Sequence, residues 1–450
     1  MEARAAIDDA ALEREAWSVL NANRMGPATV PAPGLYPHQW SWDSTFVALG
    51  LARRDGRRAG GELLSLLAGQ WSTGMVPHIV FHPIHAEVYF PGPSVWRSAE
   101  HPASPRRVAT SGLTQPPMHA LAVWQVWRHA TDRDEAAALV RRLYPMLVAQ
   151  HEYLATTRDL GGGGLAAIVH PWESGMDDSP VWDDPLEALP GIRYARREEL
   201  PDRHPDSHQD RYVWLALRYR DSGYDGSYLR QEHPFAVEEP MFNGIWLASC
   251  EALAELAPVA GADPGPHLEA AERIRAGLLE RLWTGGVFHA RDLRSGRLIP
   301  VCTVGCFGPM LDPRLPGDRV AELVGVLESA RFMGAAGYPV PSCEIRAPQF
   351  DRSRYWRGPS WVNANWLLRQ AAILHGRVEL ARQLTAATLR MVRQSGFREC
   401  FDPFDGSGRG GRDFSWSAAL TLDLLADGMG RGEAPGTGPC SPRGHRSARG

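Results

Sequence analysis

The chain has 450 residues, 44% of them hydrophobic and 22% charged, which is enough apolar material for one large or two ordinary domains. A formal net charge of −4 offers no basic field for nucleic acid or an anionic membrane. All 48 basic residues are Arg, and the six scattered Cys form neither a small-domain disulfide framework nor a Cys-x-x-Cys pair.

The first segment, MEARAAIDDAALEREAW, predicts a charged amphipathic helix over 7–23 and has no apolar signal core. No run of about 18 apolar residues follows it, so a reduced, cytoplasmic protein is expected. Apolar residues at three- and four-residue spacing then predict helices near 43–55, 57–71, 115–131, 134–157, 209–221 and 240–257. The same spacing predicts helices near 264–283, 317–330, 360–375, 377–395 and 415–427. Strand-like alternation is confined to 286–290 and 298–304. No linker divides the chain, so 1–428 is expected to be a single domain. The Gly/Pro/Arg/Ser-rich 429–450 is expected to be a disordered tail. About twelve paired helices predict an all-α toroid of helical hairpins.

Several of these helices follow a Trp-, Pro- or Gly-rich polar loop. The loops are LYPHQWSWDS, TSGLTQPP, SHQDRY, EEPMFN, YWRGPSWVN and GGRDFSW. In a ring of hairpins, alternate helices line the inside. Loops leading into inner helices would converge at one end as a concave site, with Trp as walls and acids as working groups.

Three stretches carry candidate chemistry. HPWESGMDDSP (170–180) puts Asp177 near Trp172 and Glu173, an apolar wall of the kind that raises a general acid's pKa. Asp177 or Asp178 could equally be a turn or cap residue. FRECFDPFDGSG (397–408) offers Glu399 as a water-activating base or as a surface partner of Arg398 or Arg412; Asp402 and Asp405 suit turns. YPHQWSWDS gathers Tyr36, Trp40, Trp42 and Asp43, and Asp43 could cap a helix or accept from two sugar hydroxyls. His78, His82 and His85 lack a further ligand at a zinc spacing, so no metal is expected. The chain has no Gly-x-Gly-x-x-Gly after a strand, no phosphate loop and no Gly-x-Ser-x-Gly, so no nucleotide cofactor or serine nucleophile is expected.

QWSWDS, TSGLTQPP, HPWESGMDDSP, YWRGPSWVNANW and FRECFDP…GRDFSWSAALTLDLL occur in an order that resembles glycoside hydrolase family 63 over roughly residues 10–427. The likeness is to its bacterial mannosylglycerate and glucosylglycerate hydrolases. The resemblance implies an (α/α)6 barrel with long loops at one end forming the active site. It also implies an inverting mechanism with Asp177 as acid and Glu399 as base. It places Tyr36, Trp40, Asp43, Gln115, Trp172, Trp356 and Arg357 around the sugar, and Arg211 and Tyr89 near a glycerate carboxylate. Cys400 stands where relatives often carry Tyr, and Ser407 where they often carry Glu, which bears on the aglycone.

The expected activity is hydrolysis of a small α-glucoside or α-mannoside, of the glucosylglycerate or mannosylglycerate type, without cofactor or metal. Its partner would be a small carbohydrate rather than nucleic acid or membrane; the oligomeric state is left open. The alternatives are an oligosaccharide α-glucosidase or debranching-like enzyme, a sugar epimerase, and a non-catalytic sugar-binding protein.

Overall fold

The computed structural model describes residues 7–86, 88–192, 208–333 and 339–428, so the tail expected at 429–450 lies outside the described residues. Every helix predicted from periodicity is present. In chain order they are α1 (Asp9–Ala22), α2 (Ser41–Leu51), α3 (Gly56–Leu67), the short α4 (Pro93–Trp96) and α5 (His119–His129). There follow α6 (Arg133–Thr157), the short α7 (Asp183–Glu187), α8 (Gln209–Asp221), the short α9 (Gly226–Gln231), α10 (Pro240–Ala260) and α11 (Gly265–Arg281). The chain continues through α12 (Gly317–Glu328), α13 (Val362–Leu374), α14 (Val378–Ser395) and α15 (Ser415–Ala426).

Two kinds of helix are distinguishable by burial. α3 buries Ala59, Leu63, Leu66 and Leu67, the one-sided spacing of a helix with a solvent face. α2 is buried along its whole length and α15 from Ser415 to Leu424, as expected of helices packed on all sides. Their starts differ too. α1, α3 and α6 begin on Asp8, Asp55 and Asp132, whose carboxylates accept from first-turn N–H groups. α2, α13 and α15 begin on Trp40, Trp361 and Phe414, with no side-chain cap.

Six largely buried elements pack in a closed circuit. α2 packs on α5, α5 on α10, α10 on the 3₁₀ helix Val304–Leu311, that helix on α13, α13 on α15, and α15 on α2. Outside this circuit α1 packs on α15, α3 on α2, α6 on α5 and α10, α11 on α10, and α14 on α13. Five of the six polar loops singled out from sequence lead into circuit helices. The sixth does not: SHQDRY precedes α8, which packs against α4. The sixth circuit member is Val304–Leu311, which the sequence reading missed. The strand expected over 298–304 is only Arg297–Leu298. The segment VGCFGPML is buried at every position, so no polar face marks it as helical.

Short antiparallel strands brace the loop end. Ala167–Ile168, Val237–Glu238, Arg291–Asp292 and Arg297–Leu298 form one sheet, and Gln39–Trp40 pairs with Ile79–Val80. Arg398–Phe401 pairs with Gly408–Arg412 through a register shift between Arg398 and Cys400, which is where Glu399 sits.

Candidate active site

The stretch 170–180 is a braced loop. Glu173 is fully buried and takes a double contact from Arg158, at 2.6 and 2.7 Å, besides accepting from the N–H groups of Thr114 and Val169. It is a structural strut and not a working acid. Gly175 stands at φ +69°, and a Cβ there would meet the Trp42 ring at 2.5 Å, so only glycine lets the loop lie against that indole. Met176 O accepts from Trp182 Nε1 at 2.8 Å, and Asp178 N donates to Tyr212 Oη at 3.0 Å. Asp177 lies between these anchored neighbours, is less buried than either, and lines a cavity.

Glu399 faces the same cavity from the strand Arg398–Phe401. Its Oε1 accepts from Tyr36 Oη at 2.9 Å and Tyr355 Oη at 2.8 Å, and its Oε2 accepts from Gly411 N at 2.8 Å. A third carboxyl, Asp43, is buried in the first turn of α2. Burial, reinforced by the nearby charge of Glu399 and then Asp177, pushes its pKa well above the ordinary carboxylate range.

The cavity holds about 420 Å³ and is walled by Trp40, Trp42, Trp416 and Phe414. A second one of about 290 Å³ adjoins it, lined by His78, Pro91 and Trp172. Asp177, Trp40, Tyr89 and Gln115 line both; Glu399 and Asp43 line only the first.

Of the residues singled out from sequence, Asp177, Glu399, Tyr36, Trp40, Asp43, Tyr89 and Gln115 are therefore gathered around one space, with Trp172 in its annex. Three are elsewhere. Trp356 is 2% exposed and stacks on Trp361, with centroids 4.0 Å apart and planes 4° from parallel, so it packs in the core. The preceding residue, Tyr355, takes the cavity position. Arg357 is buried behind the acid loop, bound to Asp183 and 3.5 Å from Asp178. Arg211, in the first turn of α8, donates from Nη1 to His208 Nδ1 at 3.0 Å and lines neither cavity.

Trp42, gathered with Tyr36, Trp40 and Asp43 in the sequence, also lines the larger cavity. Sequence reasoning missed Tyr355, Phe414, Trp416 and His78. The signal for the first three was present in motifs already singled out. His78 was weighed only as a metal ligand. Its Nδ1 lies 2.5 Å from Ser111 Oγ, and burial lowers its pKa to about 3, leaving a neutral imidazole against the annex. Among the described residues, no group of three His, Cys, Asp or Glu is placed to hold a metal ion. Nor is any helix there long and apolar enough to cross a membrane. Cys400 is buried beside Glu399, where burial raises its thiol pKa well above the usual range, and Ser407 lies in the hairpin turn.

Residues 36–417 match the mannosylglycerate hydrolase MGH1-like glycoside hydrolase domain. The chain belongs to this family of glycoside hydrolases. It is 42% identical to a mannosylglycerate hydrolase of Thermus thermophilus, over 91% of this chain and 99% of that one. It is 37% identical to the glucosylglycerate hydrolase of Mycolicibacterium hassiacum, over 92% and 97%. The crystal structure of a GH63 mannosylglycerate hydrolase from Thermus thermophilus with Tris and D-glycerate superposes with a TM-score of 0.82 at 41% identity, covering 91% of this chain and 99% of that one. The resemblance to family 63 read from the motifs is thus supported along nearly the whole chain. Yeast neutral trehalase, at 16% identity and a TM-score of 0.57, shares the fold only.

Proposed function

We propose that this glycoside hydrolase cleaves a small α-mannoside or α-glucoside of glycerate with inversion, on an (α/α)6 barrel whose inner ring is the circuit of buried helices. Asp177 is the general acid and Glu399 the general base. One observation carries the assignment: two cavities meet at Asp177, whereas Glu399 lines only the larger. The acid must reach the bridging oxygen between sugar and aglycone, which places it at that junction. The base must hold a water on the sugar's far side.

In this reading the sugar occupies the larger cavity, against Trp40 and Trp42, with Asp43 taking its hydroxyls. Its high pKa equips Asp43 to donate as well as accept. The aglycone occupies the annex beside Tyr89, Gln115 and Trp172. Arg211 is the proposed partner of a glycerate carboxylate, a role that requires its side chain to turn away from His208.

The test is incubation with mannosylglycerate, glucosylglycerate and neutral α-glucosides and α-mannosides, with the released sugar followed by NMR. The β-anomer should form first, from a glycerate-linked substrate. Release of the α-anomer first overturns inversion, and preference for long oligosaccharides overturns the substrate class.

A further inference from the structure

One short turn touches both ends of the proposed acid–base pair. Tyr355 donates to Glu399 Oε1 at 2.8 Å. Its neighbour in the chain, Arg354, grips Asp178, the residue after Asp177, through Nε to Oδ2 at 2.7 Å and Nη2 to Oδ1 at 2.9 Å. The Asp178 side chain is 5% exposed. Its backbone stands at φ +60°, where an L side chain stays only when its surroundings hold it. The turn is closed on itself, since Arg357 N donates to Arg354 O at 2.9 Å and Arg354 N to Asp351 O at 3.1 Å.

We propose that Arg354 is a positioning residue: acting through Asp178, it fixes where the Asp177 carboxyl stands relative to Glu399, which Tyr355 holds from the next position in the chain. The proposal rests on Asp177 being the acid and Glu399 the base. An inverting pair must keep its carboxyls about 6.5–9.5 Å apart. A shared turn sets that gap through a few covalent bonds, whereas the acid loop and the base strand are otherwise more than two hundred residues apart in sequence. The guanidinium fork makes the link directional, because two parallel bonds fix the carboxylate plane as well as its place.

The test compares Arg354→Lys, Asp178→Asn, their double variant and Asp177→Asn by kcat on two α-glycosides. One carries glycerate, whose alkoxide leaves only when protonated. The other carries an activated phenol that leaves without a proton. Thermal melts accompany each variant. Arg354→Lys keeps the charge and loses the fork. It should lower kcat on the glycerate substrate about 10²-fold, the scale of an ångström-sized misplacement. On the aryl substrate the loss should stay within about fivefold, since proton donation is not needed there. Asp178→Asn should repeat that pattern even if one of the pair folds poorly, and the double variant should be no worse than the worse single one. Equal losses on both substrates, or unchanged kcat on the glycerate substrate, overturn the positioning role. If Asp177→Asn itself shows no dependence on the leaving group, the acid assignment fails, and the proposal with it.

Discussion

Gly410 tests the placement of Glu399, the proposed base. It stands at φ +62°, and a Cβ built on it would lie 2.4 Å from Glu399 Oε2 and 2.9 Å from Glu399 Cβ. Real Cβ atoms do not come within 3.0 Å of another atom, so in Gly410→Ala the carboxyl must retreat by more than half an ångström. Its room is limited, because Tyr36, Tyr355 and Gly411 N hold both oxygens. Misplacing a reacting group by about 1 Å costs about 10²-fold, which is the kcat loss expected here. The left-handed backbone adds a stability cost of roughly 1–2 kcal/mol. Gly285→Ala separates the two effects: its φ is +60°, yet nothing lies within 4 Å of an added Cβ. Both variants should melt lower by similar amounts, but only Gly410→Ala should lose kcat on a glycerate-linked glycoside. A Gly410→Ala enzyme within threefold of the parent, or an equal kcat loss in Gly285→Ala, would refute the reasoning.

Trp356 and Trp40 should separate in opposite ways. Trp356→Ala removes half of a stacked, buried indole pair and should cost about 3–5 kcal/mol of stability; a melt near the parent's with a raised KM would return Trp356 to the sugar site. Trp40→Ala, on a cavity wall, should raise KM by a larger factor than it lowers kcat, and unchanged KM would contradict that placement. Glu62 supplies a pH test. Burial raises its pKa to about 7, against an ordinary 4.5, although Ser44 and Gln39 donate to it. The unfolded chain therefore gives up this proton earlier than the folded one, so the group's contribution falls as pH rises from about 4.5 to about 7 and is level above. The stability of Glu62→Gln relative to the parent should climb across that window, by up to about 3 kcal/mol at about 1.4 kcal/mol per pH unit. A difference independent of pH between about 4 and about 8, measured by chemical denaturation, would show that Glu62 does not titrate there.

The helices were legible from sequence because most alternate a packed and a wetted face, and the inner ones were marked instead by the loops leading into them. That second signal failed once in each direction. SHQDRY is an aromatic, polar lead-in, yet its helix packs on α4, and its Tyr212 supports Asp178 from outside the circuit. Val304–Leu311 is a circuit member with no polar face and no such lead-in, so neither periodicity nor loop chemistry revealed it. The slip between Tyr355 and Trp356 has a different cause. Tyr355 and Trp356 are adjacent aromatics in one short turn whose backbone departs from helical dihedrals at Trp356, and composition cannot tell which one faces inward.

The acids show most clearly what the sequence withheld. Glu173, Asp178 and Asp183 lie in the same aromatic neighbourhood as Asp177, and each became framework by meeting an arginine: Arg158, Arg354 and Arg357. Two of those partners lie more than 170 residues away in sequence. Glu399 instead meets two tyrosine hydroxyls and a backbone N–H, which orient a carboxylate without cancelling its charge. Every Lys or Arg position of the chain is Arg, so local context cannot say which acids an arginine claims. Arg211, chosen from sequence as an aglycone anchor, lies beside His208, itself 3.5 Å from Asp183, at the margin of that arginine-rich framework. The same pairing that stiffens the loop thus makes framework of Glu173, Asp178 and Asp183, three of the acids that surround Asp177 in sequence.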